Sequence, residues 1–153
     1  MMLTKQEAIK YHREMWNWIA EQYENGSEEQ IEILKNNFTS SKYHRFICCN
    51  CYCCEYAENI KDEKLFYTHN FHRCYYCPVI WGNEKEADEY YKTEVAPFNS
   101  SKKPYYCIGY SSSIGGLFGK ISKLIKKSNV ELKRKEIVEL AKQIANLEER
   151  KDV

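Results

Sequence analysis

Nowhere in the chain do 18 consecutive apolar residues occur, and its first residues, MMLTKQEAIKYHREMW, contain no basic stretch followed by an apolar run. A bilayer-spanning helix needs about 20 apolar residues, so neither a membrane span nor an export signal is expected, and the expected location is cytoplasmic. Internal repeats and low-complexity tracts are also missing. The phosphate-loop motif fails: in the stretch around Gly115-Gly116-Leu117-Phe118-Gly119-Lys120, Ile114 stands where the first glycine is required and Ile121 replaces the Ser or Thr. No Cys-His-Asn/Asp set for nucleophilic catalysis can be recognised. His69-Asn70-Phe71-His72 compresses into four positions what HNH nucleases distribute over a strand, a loop and a helix, so a surface loop or a substitute metal ligand is expected there. The chain is therefore not expected to be an enzyme.

What the chain has in excess is thiol. Eight cysteines occur in 153 residues, and five of them fall in the stretch CCNCYCC, residues 48–54. In a reducing compartment such residues are metal ligands or free thiols rather than a disulfide framework. A tetrahedral zinc site needs four thiolate or imidazole ligands, and a CxxC turn aims two sulfurs at one point. Cys51 with Cys54 makes one such turn and Cys74 with Cys77 the other, separated by 19 residues, which suits one structural zinc ion. Pairing Cys48 with Cys51 is an alternative register, and in it Cys48 takes the place of Cys54. The matched knuckles CYCCEYA and CYYCPVIW favour Cys51 with Cys54. The adjacent Cys53 and Cys54 can hardly serve one ion together, because their side chains diverge. Cys48, Cys49, Cys53 and Cys107 are then spare thiols. An iron–sulfur cluster could use the same four sulfurs, but nothing in the sequence suggests electron transfer. Four thiolates give the site a net charge of −2, which Arg45 and Arg73 are placed to offset.

Around this centre the periodicity is helical. Thr4 and Glu7 form a capping box for a helix over about 5–24, whose face includes Ala8, Ile9, Tyr11, Met15, Trp16, Trp18, Ile19 and Tyr23 and which ends at Asn25-Gly26. His12, beside Trp16, reads as a partly buried helix residue. Ser27 to Gln30 opens a shorter helix carrying Ile31 and Leu34, Asn83 with Glu86 opens a short helix over 83–95, and Ser128 to Glu131 opens a last one carrying Ile137, Leu140, Ala141, Ile144 and Leu147. The expected fold is α+β but mainly helical, a single domain over 1–153. N-terminal helices (5–42) and a C-terminal pair (112–149) surround a four-cysteine zinc-knuckle region (43–82) of turns and short strands.

Charge is nearly balanced, with a formal net of +1, but it is unevenly placed: residues 102–135 hold nine Lys or Arg against the single Glu131. Within IGGLFGKISKLIKK, Ile114, Leu117, Phe118, Ile121, Leu124 and Ile125 take one helical face while Lys120, Lys123, Lys126 and Lys127 take the other. Packing of the apolar face on the domain is the first reading; contact with an anionic membrane, and contact with nucleic acid or an acidic protein groove, are the others. The lysines are the candidate partner-binding residues.

With EAIKYHREMWNWIAEQ, CYCCEYA, CYYCPVIWG and ELAKQIANLEER in view, the chain resembles a family of small cysteine-rich proteins, with two CxxC turns each, encoded by bacteriophages of low-GC bacteria. The resemblance implies metal-ligand status for Cys51, Cys54, Cys74 and Cys77 and location in the host bacterial cytoplasm. It also implies an accessory protein that binds a host protein, as an inhibitor of a bacterial defence or regulatory factor. A zinc-ribbon-like nucleic-acid binder using 102–135 is the alternative. The extra cysteines at 48, 49 and 53 and the basic helix depart from the family pattern.

Overall fold

Helix α1 (Lys5–Glu24) starts where the capping box places it: the Glu7 amide donates to Thr4 Oγ1 at 3.2 Å and the Thr4 amide to Glu7 Oε2 at 2.8 Å. Two orphan donors are thereby satisfied reciprocally, which fixes the first turn. The helix ends at Asn25, and Gly26 follows with φ 100°, a conformation that costs a residue with a Cβ but not glycine. The computed structural model describes residues 2–43, 51–60, 76–81, 107, 116–127 and 129–153.

Four further helices are formed by these residues: α2 (Ile31–Tyr43), α3 (Tyr52–Ile60), α4 (Leu117–Lys127) and α5 (Val130–Ala145). Helix α1 packs chiefly on α5 and also touches α2 and α3, while α4 lies on α5. The buried face of α1 comprises Ala8, Ile9, His12, Met15, Trp16, Ile19, Ala20 and Tyr23, and α5 meets it with Ile137, Ala141, Ile144 and Ala145. Aromatic rings tie in the remaining helices. Trp16 meets Phe118 of α4 at 6.1 Å edge-on, Trp18 meets Phe38 of α2 at 5.6 Å, and Tyr11 meets Tyr52 of α3 at 5.4 Å. Such offset and edge-on pairs add to the burial of their area.

The expected α+β description is corrected: the described residues are mainly helical and contain no strand or sheet, only an isolated antiparallel bridge between Val79 and Glu149. The zinc-knuckle region with short strands is not what forms around Cys51. Residues 52–60 are helical because Cys53 and Ala57, one turn apart, are both fully buried, and because the Cys51 carbonyl accepts the Glu55 amide at 3.0 Å to start the turn. Asn59 Nδ2 donates to the Glu55 carbonyl (2.8 Å) near the other end. The start of α5 is also set differently: Asn129, not Ser128, is the cap, its Oδ1 accepting from the Glu131 amide at 3.0 Å. The short helix expected over 83–95, together with Cys48, Cys49, Cys74, His44, His69, His72, Arg45 and Arg73, lies outside the described residues.

Beyond α5 the chain folds back on α1 and on residues 78–80. The Ile80 amide donates to Glu148 O and the Arg150 amide to Pro78 O, both at 2.8 Å, and Lys5 Nζ pairs with Glu149 at 3.0 Å and donates to the Arg150 carbonyl. The buried Arg150 guanidinium is neutralised by Asp152 at 2.9 Å. These bonds bring residues 77–81 against the core.

Arg134 of α5 closes the turn between α1 and α2. Its guanidinium donates to the carbonyls of Tyr23, Ser27 (2.9 Å) and Gly26 (3.5 Å) and to Glu131 Oε2 (2.7 Å). A planar cation suits the end of a helix, where unpaired carbonyls concentrate negative potential. Arg134→Ala is expected to cost about 1–2 kcal/mol, the lower part of the range for leaving acceptors without donors because these are part-buried or exposed, and Arg134→Lys most of that. Urea unfolding checks this; a loss below about 0.5 kcal/mol, the ordinary scatter of surface changes, would show that the turn does not depend on the clamp.

Candidate metal centre

Five described cysteines converge from three parts of the chain. Cys51 stands immediately before α3, and Cys53 and Cys54 lie in its first turn. Cys77 precedes Pro78 and the bridge at Val79. Cys107 reaches the site through the start of α4, where its carbonyl accepts the Gly119 amide at 3.2 Å. Cys51, Cys53 and Cys77 belong to the buried core, and Cys54 and Cys107 pack against it half-buried.

The thiols contact one another as a chain. Cys54 is hydrogen-bonded to Cys51, Cys51 to Cys53, and Cys53 to Cys77. Cys77 also accepts from the Val79 amide and the Trp81 indole N–H. Donation from Cys53 and Cys54 holds the Cys51 thiol well below its ordinary range, and donation from Cys53, with Val79 and Trp81, holds Cys77 low. Cys53 is pushed up chiefly by burial, Cys54 by its bond to Cys51, and Cys107 by burial to about 12. Hydrogen bonds to the thiolate form, desolvation and neighbouring charge account for all five directions.

Two further groups complete the surroundings. Lys35, on the buried face of α2 one turn after Ile31, favours the Cys51 thiolate and sits 4.9 Å from the centre of the Phe118 ring. His12 is fully buried rather than partly so. Its Nε2 lies 2.8 Å from the Ile144 carbonyl, which requires that nitrogen to carry the proton, and Nδ1 has no hydrogen-bond partner among the described residues. Burial pushes its pKa down, and its ring stands edge-on to Trp81 at 5.7 Å.

Of the four expected ligands, the structure brings Cys51, Cys54 and Cys77 together, while Cys74 lies outside the described residues. Among the described residues no group of three His, Cys, Asp or Glu side chains is placed to hold a metal ion. An ion bound to cysteine here would find N–H donors at Cys77 and a lysine near Cys51 to offset negative charge.

No protein-family model, curated protein or solved structure matches the chain.

Lys120, Lys123, Lys126 and Lys127 are all exposed on α4, and Ile121 and Ile125 on its opposite side are buried. The first reading of this helix, with its apolar face packed on the domain, is the observed one. Only Lys126 of the four pairs with a described carboxylate, Glu32, at 3.6 Å. Among the described residues no helix is long and apolar enough to cross a membrane.

Sequence reasoning missed Cys53, Cys107, Lys35 and His12 as members of this cluster. Lys35 and His12 could have been found, since each falls on the buried stripe of its helix at a three- or four-residue spacing from apolar neighbours. Cys107 carries no spacing signal, because it reaches the cluster through a contact with α4.

Proposed function

We propose that the chain is a zinc-stabilised binding protein, a phage accessory protein that captures an acidic surface of a host bacterial protein and so inhibits a defence or regulatory factor. The observation that carries the binding half is the four-lysine face of α4, held outward because Ile121 and Ile125 anchor the other side. A helix fixed in this way presents a constant spacing of positive charge, which gives orientation and association rate to an encounter with an acidic partner. In this reading one zinc ion has a structural role, held by Cys51, Cys54 and Cys77, with Cys74 as the fourth ligand that the spacing supplies. The reading assigns no catalytic residue. The phage and host parts of it rest on the sequence resemblance alone.

Replacing Lys120, Lys123, Lys126 and Lys127 together by Glu is expected to weaken capture of the host protein by at least about tenfold while leaving the helical circular dichroism intact. Pull-down from an expressing bacterium with both chains checks it, and equal recovery of the same protein by the variant would refute this placement. Retardation of DNA or RNA that falls steeply with salt would instead move the reading to nucleic acid.

A further inference from the structure

The start of α3 sets two thiols one helical turn apart. Cys51 stands immediately before the helix and its carbonyl accepts the Glu55 amide at 3.0 Å, which makes it the cap residue and Cys54 the third residue of the first turn. Side chains at these two positions meet, as α1 shows: Thr4 and Glu7 occupy the same pair of positions, and Thr4 Oγ1 lies 2.8 Å from Glu7 Oε2. Helix geometry puts the two cysteine Cα atoms about 5 Å apart, within the roughly 4.4–6.8 Å that a disulfide spans. The turn is held in the core by the fully buried Cys53 and Ala57 and by Tyr52, whose ring meets Tyr11 at 5.4 Å and Phe38 at 6.4 Å. Cys51 is 8% exposed and Cys54 half-buried, so one sulfur of the pair opens to solvent. A thiolate at the cap also faces the unpaired amides of the first turn, whose positive potential favours it.

We propose that Cys51 and Cys54 form a reversible dithiol–disulfide couple that exchanges with small-molecule disulfides. Cys54 is the entry: its proton passes to solvent, and its sulfur attacks one sulfur of the small disulfide, breaking that S–S bond and expelling a thiolate. The Cys51 thiolate then attacks Cys54 Sγ, forming the Cys51–Cys54 bond and expelling the second thiolate. Two cysteine thiols are oxidised by two electrons, the small disulfide is reduced to two thiols, and the protons that the cysteines lose are taken up by the leaving groups. The couple needs no metal. Where zinc is held through Cys51 and Cys54, closing the bond removes two of its ligands and releases the ion.

The test equilibrates the full chain with glutathione over a series of oxidised-to-reduced ratios, with a chelator present so that no ion shields the sulfurs. After acid quenching, thiols are alkylated with one reagent before reduction and another after it, and tandem mass spectrometry reads the label at each cysteine. Cys51 and Cys54 are expected to oxidise together, at a ratio at least about tenfold lower than Cys53 or Cys77, with no glutathione retained. Oxidation of Cys54 without Cys51, pairing of Cys51 with Cys53 or Cys77, or a pair that stays reduced across the series overturns the proposal. Cys51→Ser supplies a second readout. A mixed disulfide of Cys54 with glutathione should accumulate in it, because the thiol that resolves that bond is gone, and its absence overturns Cys54 as the entry. Zinc content of the reduced chain, measured without chelator, separates this couple from the metal reading. A chain that closes the pair but never holds zinc loses the metal and keeps the couple; one that holds zinc but never closes the pair does the reverse.

Discussion

Trp16→Ala is expected to lower the unfolding free energy by about 3–5 kcal/mol, the range for emptying a buried aromatic position. Trp16 is among the largest side chains in the core and only 1% exposed. It stands on α1, the helix that packs on α5, and meets Phe118 of α4 within the core. Alanine there loses the transfer free energy of the indole and leaves a cavity that rigid helices close only in part. Domains of this size have only about 5–15 kcal/mol of stability in total, so the variant should be partly unfolded at moderate temperature. Trp16→Phe, which keeps an aromatic ring against Phe118 and most of the volume, should lose much less. Equilibrium urea unfolding of the three proteins decides the matter, and an alanine variant within about 1 kcal/mol of the parent would mean that α1 does not organise the core as described.

The second large effect is expected from Cys77→Ser. Cys77 is where the centre meets the C-terminal turn: its sulfur accepts from the Val79 amide and the Trp81 indole, and the next residues bond to Glu148 and Arg150 beyond α5. If one ion binds Cys77 and the start of α3, it cross-links segments that are otherwise joined by a few backbone hydrogen bonds. Structural zinc contributes its binding free energy to folding, apparently about 10–16 kcal/mol in small zinc-dependent peptides, although here a helical core shares the task. The serine variant should therefore lose stoichiometric zinc and show fast amide exchange at Ile80 and Arg150, while the amides of α1 and α5 remain protected. Cys107→Ser, by comparison, should retain the ion. A Cys77→Ser protein that keeps one zinc per chain would remove this residue from the ligand set.

How much of this was legible in the sequence follows from how local each signal is. The start and end of α1 were readable because the Thr4–Glu7 box and Gly26 act within one turn of the residues that encode them. The two-sided character of α4 was readable for the same reason, since its lysines and isoleucines separate cleanly by helical period. Helix α3 was not, because its buried stripe contains cysteine: Cys53, read as a spare thiol beside a ligand turn, was not counted as the small apolar residue that it also is, one turn before Ala57. A CxxC spacing, moreover, is compatible with both a turn and a helix start, so it specified candidate ligands without specifying the backbone that carries them. Cys107 and the contact of the C-terminal turn with residues 78–80 depend on tertiary packing over long stretches of chain, which no local pattern encodes.

The central claim is that an ion gathers these sulfurs, and native mass spectrometry of the reduced, tag-free chain tests it most directly. The account predicts one zinc per chain, and loss of the Ile80 and Arg150 amide protection when a chelator removes it. A metal-free mass after zinc has been offered, with those amides equally protected before and after chelation, would contradict it.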